Sequence, residues 1–191
     1  ESVEFAGNEL VPSAEIDREV GGLKGGTGEL KAIEAALERV VSLYRAQGYS
    51  LARVESLAVD RERGTVRFRV NEGKIAQIRY EGNEKTKDYI VRREFPLDEG
   101  DVFNVEKASQ GIVNIKSTGL FDYVLLDVQY LDNRPVVILK VKEKSSELVR
   151  IGFHADEEHG VLSTVDLRDG NFRGAWEDLG VVLRYGYRDR G

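Results

Sequence analysis

Gln77-Ile78-Arg79-Tyr80-Glu81-Gly82-Asn83-Glu84 follows the pattern of Ser2-Val3-Glu4-Phe5-Ala6-Gly7-Asn8-Glu9, read 75 positions earlier. Val3, Phe5, Gly7, Asn8 and Glu9 recur as Ile78, Tyr80, Gly82, Asn83 and Glu84, and Arg18-Glu19 recurs as Arg93-Glu94. The register persists where Leu30, Ile33, Leu37 and Val40 fall opposite Val105, Ala108, Ile112 and Ile115. A repeat of this length in 191 residues means two copies of one small domain, and each copy checks the other's element boundaries.

Outward from the quoted stretch, Val3 and Phe5 alternate with polar neighbours and run into Gly7-Asn8, a short strand ending in a turn. Ser13 is the expected N-cap of a short helix carrying Ile16 and Val20 and stopping at Gly21-Gly22. From Glu29 to Gln47 the residues Leu30, Ile33, Leu37, Val40 and Tyr44 step by three and four, one face of a longer helix that Gly48 ends. Strands at 51 to 59 and 65 to 70 follow, giving the order β-α-α-β-β. The second copy reads as strand 75 to 80, helix 86 to 95, helix 105 to 117 capped by Asn104, and strands 122 to 130 and 136 to 142. Gly119 lies only 71 residues beyond Gly48, so the second long helix should be four residues shorter, close to one turn.

After Lys144 the period changes to two. Val149, Ile151, Phe153 and Ala155 alternate with Arg150, Gly152, His154 and Asp156, a turn is expected at 157 to 160, and Val161, Val165 and Leu167 continue the alternation over 161 to 168. A third run sets Val181, Leu183, Tyr185 and Tyr187 against Val182, Arg184, Gly186 and Arg188. These are strands of about ten residues with one apolar face, the dimension and pattern of transmembrane β-strands. The expected domains are therefore 1–74, 75–146 and 147–191.

Composition narrows the function. With 41% hydrophobic and 32% charged residues the chain has a globular balance, and a net charge of -6 offers no basic surface for nucleic acid. The absence of cysteine excludes a disulfide framework, a thiolate metal site and a cysteine nucleophile. No run reaches the roughly eighteen apolar residues of a transmembrane helix. Because the chain starts at Glu1 in what reads as a strand and contains no methionine, it reads as a segment of a longer protein.

Gly119-Leu120-Phe121-Asp122-Tyr123-Val124 matches the G-[LYF]-F-x-x-V signature of polypeptide-transport-associated (POTRA) domains. With the Gly-Asn turn after each first strand and the ending Val141-Lys142-Glu143, it makes the chain resemble the POTRA modules of BamA-like and TamA-like outer-membrane assembly factors. Gly48-Tyr49-Ser50-Leu51 is the weaker match in the first copy. Asp169-Gly170-Asn171-Phe172-Arg173-Gly174 and the stretch from Trp176 to Val182 resemble the opening of the membrane barrel that follows the last POTRA domain. The resemblance implies an α+β fold, two tandem POTRA domains, each a three-stranded sheet covered by two helices, and then the first antiparallel strands of an outer-membrane barrel. It also implies POTRA domains in the periplasm, unfolded outer-membrane or secreted proteins as clients, and accessory lipoproteins as further partners. Gly48, Gly119, Leu120 and Phe121 have a packing role on this reading, closing the long helix and folding back against its end.

No catalysis, cofactor or metal is expected. His154-Ala155-Asp156-Glu157-Glu158-His159 gathers ligand types, but its two histidines are five apart across a strand and turn, unlike the helical H-E-x-x-H of zinc hydrolases. The glycine-rich Gly21 to Gly28 loop lacks the Gly-Lys-Ser/Thr ending of a phosphate cradle and joins two helices. In the resembled family the strand after the long helix lies at a sheet edge, and an open edge is a template for β-augmentation. The client-binding candidates are Arg53, Val54, Glu55, Ser56, Leu57 and Ala58 in the first copy. In the second they are Tyr123, Val124, Leu125, Leu126, Asp127 and Val128. At roughly 0.5 to 1.5 kcal/mol per bond, four to six main-chain bonds barely offset the ordering of a client, so binding should be weak and transient. The competing expectations are a pore for one dedicated secreted protein and a tether for a fused patatin-like lipase.

Overall fold

The computed structural model describes residues 2–23, 30–60, 62–156 and 160–187. The first repeat runs β1 (Ser2–Ala6), α1 (Ser13–Val20), a 3-10 turn (Gly21–Leu23), α2 (Leu30–Ala46), β2 (Arg53–Asp60) and β3 (Thr65–Asn71). The second runs β4 (Gln77–Glu81), α3 (Asp88–Glu94), α4 (Val105–Ser117), β5 (Phe121–Leu131) and β6 (Arg134–Glu143). β7 (Glu147–Asp156), β8 (Gly160–Phe172) and β9 (Glu177–Tyr187) complete the chain. The architecture is α+β, with three-stranded sheets in the orders β1-β3-β2, β4-β6-β5 and β7-β8-β9.

In the first sheet β3 is central, parallel to β1 and antiparallel to β2. Its alternation decides the faces: Val66, Phe68 and Val70 are buried while Arg67 and Arg69 are exposed. Ile16 and Val20 of α1 and Ile33, Leu37, Val40 and Tyr44 of α2 join the same core, and Phe5 stacks on Phe68 with ring centroids 5.7 Å apart. The second repeat buries Ile90 and Val91 of α3, Ala108 and Ile115 of α4, and Val137, Leu139 and Val141 of β6. Helix α2 has 17 residues and α4 has 13, the four-residue difference expected from the glycine spacing.

Gly48 has φ +86° and closes α2 with a Schellman pair, Gly48 N–H donating to Arg45 O at 3.0 Å and Tyr49 N–H to Tyr44 O at 2.9 Å. Gly119, at φ +76°, ends α4 differently: the Thr118 hydroxyl donates to Ile115 O at 2.7 Å and accepts from Leu120 N–H at 3.3 Å. Leu120 and Phe121 are buried behind it. Asn104 caps α4, its Oδ1 accepting from Glu106 N–H at 3.0 Å and Lys107 N–H at 3.1 Å.

Three local expectations are corrected. Ser13 is the first helical residue of α1 and Pro12 stands at the N-cap, where its ring has no group to bond; the Ser13 hydroxyl accepts from Asn8 Nδ2. β8 continues to Phe172, so Asp169–Phe172 is strand and the reversal falls on the next four residues, where Arg173, Gly174 and Trp176 have positive φ. β2 starts at Arg53, after a turn that takes Leu51. The turn at 157–159, with Glu157, Glu158 and His159 of the histidine cluster, lies outside the described residues, as do 24–29 of the glycine-rich loop and Arg188.

By contact density the chain forms two compact units. One holds the whole first repeat with Pro96–Gly111 and Asp127–Ile138; the other holds Tyr80–Phe95, Ile112–Leu126 and everything from Leu139 onward.

Candidate functional site

β2 and β5 each end their sheet's strand order, which places all twelve candidate residues on edge strands. The two edges are not equivalent. On β2 the register slips between Val54 and Ser56, a bulge at Glu55, whose carboxylate accepts from Asn71 Nδ2 at 3.3 Å. The Arg53 guanidinium is also engaged. It donates to Asn133 O and to Asn133 Oδ1 at 2.7 Å and lies 4.7 Å above the Tyr130 ring. Asp132 and Asn133 both have positive φ, the conformation of a tight two-residue hairpin turn, and that turn presents the Asn133 groups to Arg53. The regular part of the edge is therefore Ser56 to Asp60, with Leu57 and Val59 each 40% exposed. Between α2 and β2 runs a groove of about 490 Å³, floored by Leu37, Val41, Ala52 and Val54 and rimmed by Glu38 and Arg45.

β5 is eleven residues long. Tyr123 and Leu125 are exposed, Val124 is buried, and Leu126, Asp127 and Val128 are half-buried. The apolar, exposed pair Tyr123 and Leu125 gives the second edge side-chain surface that the first offers only at Leu57 and Val59.

The Gly-Asn turns that mark the repeat are held by a device the sequence reading did not find. In the first repeat Glu72, buried at the end of β3, accepts on Oε1 from Glu9 N–H at 2.7 Å, Leu10 N–H at 2.8 Å and Tyr44 Oη at 3.0 Å. Burial, then the carboxylate beside it, pushes the Tyr44 phenol well above its ordinary pKa. Glu143 does the same work in the second repeat, dividing its oxygens between Lys85 N–H at 2.9 Å and Thr86 N–H at 2.5 Å. Burial alone would raise the Glu143 pKa; the hydrogen bonds from Thr86 and Lys85 together outweigh it, and the carboxyl is held below its usual range. Asn8 Nδ2 bonds Val11 O and Ser13 Oγ, and Asn83 Nδ2 bonds Thr86 O and Asp88 Oδ1, position for position.

In the third sheet the cross-strand pairs keep the register the alternation implies up to Asp169, after which β8 and β9 slip by a bulge before Phe172. Val149, Leu167 and Val181 are aligned, as are Ile151, Val165 and Leu183, and Phe153, Ser163 and Tyr185. These rows share one face and are largely exposed, Phe153 at 78% and Tyr185 at 73%. The opposite face carries Arg150, Asp166, Thr164 and Arg184. Ten residues at 3.4 Å each, tilted as in a barrel, span about 25 Å, the height of an outer-membrane apolar band. No helix among the described residues is long and apolar enough to cross a membrane, which leaves strands unaddressed.

Residues 1–73 match the family described as POTRA domain, ShlB-type, and residues 74–144 match the POTRA family described as surface antigen variable number repeat. The chain belongs to the POTRA family, as two POTRA domains in series followed by antiparallel strands. Among relatives, the outer membrane protein assembly factor BamA of Neorickettsia risticii is 26% identical over 112 residues, 58% of this chain and 15% of that protein. The N-terminal domain of Omp85 from Thermosynechococcus elongatus superposes with a TM-score of 0.62 at 27% identity, covering 75% of this chain and 65% of that one. CdiB from Escherichia coli superposes with a TM-score of 0.68 at 21% identity over 95% of this chain and 34% of its own, a likeness of fold that extends through the third sheet. The chain spans 15% to 19% of the length of the curated relatives it matches.

Proposed function

We infer that this segment is the membrane-proximal periplasmic part, with the first barrel strands, of an outer-membrane protein that inserts or translocates other proteins. The observation that carries it is the coupling of two POTRA domains to a sheet whose exposed face is apolar along its aligned rows from Val149 to Phe153, broken only at Ser163. The relative named as an assembly factor supports insertion. On this reading the domains occupy 1–74, 75–146 and 147–191. The POTRA domains lie in the periplasm, the sheet lies in the outer membrane, and the chain acts as a scaffold with no chemistry of its own. Clients are unfolded outer-membrane or secreted proteins, with accessory lipoproteins as co-partners. They pair by augmentation with β5 at Tyr123 to Val128 and with the regular part of β2. The ShlB-type first domain favours a second reading, a pore serving one dedicated exoprotein.

Labelled peptides from an unfolded barrel strand should shift NMR signals of Ser56–Asp60 and Tyr123–Val128. Leu126→Pro should weaken binding about tenfold while the domain's melt stays cooperative. Unmoved signals along both edges would remove augmentation from the mechanism.

A further inference from the structure

In the second repeat the Gly-Asn turn is met by another turn, that between β8 and β9, and both lie in one compact unit. Asn171, 3% exposed, donates from Nδ2 to Thr86 Oγ1 at 2.8 Å and accepts on Oδ1 from Trp176 N–H at 2.9 Å. Lys87 N–H donates to Gly174 O at 2.9 Å. Gly174, at φ +73°, approaches so closely that a Cβ there would stand 1.8 Å from Lys85 O. Lys85 Nζ reaches both oxygens of Asp169 at 3.0 Å and Ser146 Oγ at 3.0 Å, and Ser146 Oγ donates to Asp169 Oδ1 at 2.7 Å. Arg93 of α3 lies 4.8 Å above the Trp176 ring.

The first repeat lacks every one of the three groups used. In the 75-residue register Lys85, Thr86 and Lys87 correspond to Leu10, Val11 and Pro12, which have no ammonium, no hydroxyl and no N–H at those points. The turn itself does not need them, because Gly7, Asn8 and Glu72 hold it in the first repeat as Gly82, Asn83 and Glu143 do in the second. A chain tether alone, three residues from Glu143 to Ser146, would leave the sheet free to swivel. A second attachment 25 residues further on removes that freedom. Much of it is desolvated: the Thr86 and Asn171 side chains are both buried, so these bonds are not screened like the partly exposed Lys85 and Asp169 pair.

We propose that Lys85, Thr86 and Lys87 form a socket for Asp169–Gly174, the end of β8 and the start of its turn, which locks the second POTRA domain and the β7–β9 sheet into one rigid body. These three positions assign the sheet to the second repeat and not the first. The inference is independent of where the sheet resides.

The test measures a distance distribution in the full-length protein in phospholipid nanodiscs, between nitroxides on Lys116→Cys of α4 and Arg184→Cys of β9; the segment has no cysteine of its own. Rewriting the socket with the first repeat's residues, Lys85→Leu with Thr86→Val and Lys87→Pro, should broaden the distribution about twofold as swivelled states become populated. The single variant Asn171→Ala, which leaves the second repeat's sequence intact, should broaden it less. Unchanged width in both variants would overturn the proposal. Loss of the second domain's cooperative melt in the triple variant would equally overturn it, because the contacts would then belong to that domain's own fold and not to a coupling.

Discussion

The two POTRA domains are built on the same turn, yet they hold it with different amounts of redundancy. Gly7 and Gly82 are interchangeable in role: φ is +88° and +89°, and a Cβ would fall 2.2 Å from Val70 O in one and 2.0 Å from Val141 O in the other. Glu72 and Glu143 are not interchangeable. Glu72 concentrates three donors on one oxygen, one of them the Tyr44 phenol of the long helix, so it ties turn, strand and helix together. Glu143 draws its three donors from the turn alone, the Lys85 and Thr86 N–H groups and the Thr86 side chain, and the second domain's turn is held further by the neighbouring sheet. Where one repeat secures its turn from inside its own core, the other has opened it toward a neighbour.

The sharpest way to break this comparison is at the glycines. Gly7→Ala and Gly82→Ala should each cost about 4 kcal/mol or prevent folding of their own domain, since backbone occupies the Cβ position and φ is left-handed. Denaturant titration of each variant should show equal losses; a mild effect in one domain would mean that the shared turn is not a shared constraint. Next come the carboxylates. Glu72→Ala and Glu143→Ala each strand three donors and should each cost about 3 kcal/mol. Adding Tyr44→Phe to Glu72→Ala should lose little more, because the phenol's partner is already gone.

The smallest effect is with pH. Glu143 has a folded pKa below its unfolded one, so its stabilisation is complete above the unfolded value and is lost as pH falls through the folded value. The second domain's melting temperature should therefore fall on acidification below about pH 4.3, the ordinary glutamate range. Glu143→Gln should flatten that limb. A profile identical in wild type and variant would show that the carboxylate's charge contributes nothing to holding the turn.

Most of the fold was legible in the sequence because it is written in local periods. The three- and four-residue steps of Leu30 to Tyr44, the αL glycines at 48 and 119 and the two-residue alternation from Val149 each depend on neighbours only, and each element lies within a few residues of its expected place. The repeat also exposed which residues mattered without giving the reason. Asn8 and Asn83 stand out in the comparison, as does Glu143 in the Val141-Lys142-Glu143 ending, but the carboxylate closing each turn lies about 60 residues from it, and nothing local ties the two together. The engagement of Arg53 by Asn133 is illegible for the same reason, since the partner is 80 residues distant, while the bulge at Glu55 leaves the apolar pattern of its strand unmarked. The two-residue alternation carries the second strand of the tail only over 161 to 168, and pairing with β7 and β9 together with the burial of Asn171 extends β8 to Phe172.

The long helices carry one more lesson. Removing four residues turns a helix through about 400°, an offset of only some 40° from a full circle, which an apolar stripe about 100° wide absorbs. Removing two would turn it through about 200° and bring charged positions such as Glu34 or Glu38 toward the sheet. Length in this element is therefore granular. Grafts that trade helices between the domains should work in steps of one turn and fail in between, which gives anyone rebuilding the arm a ruler marked only in whole turns.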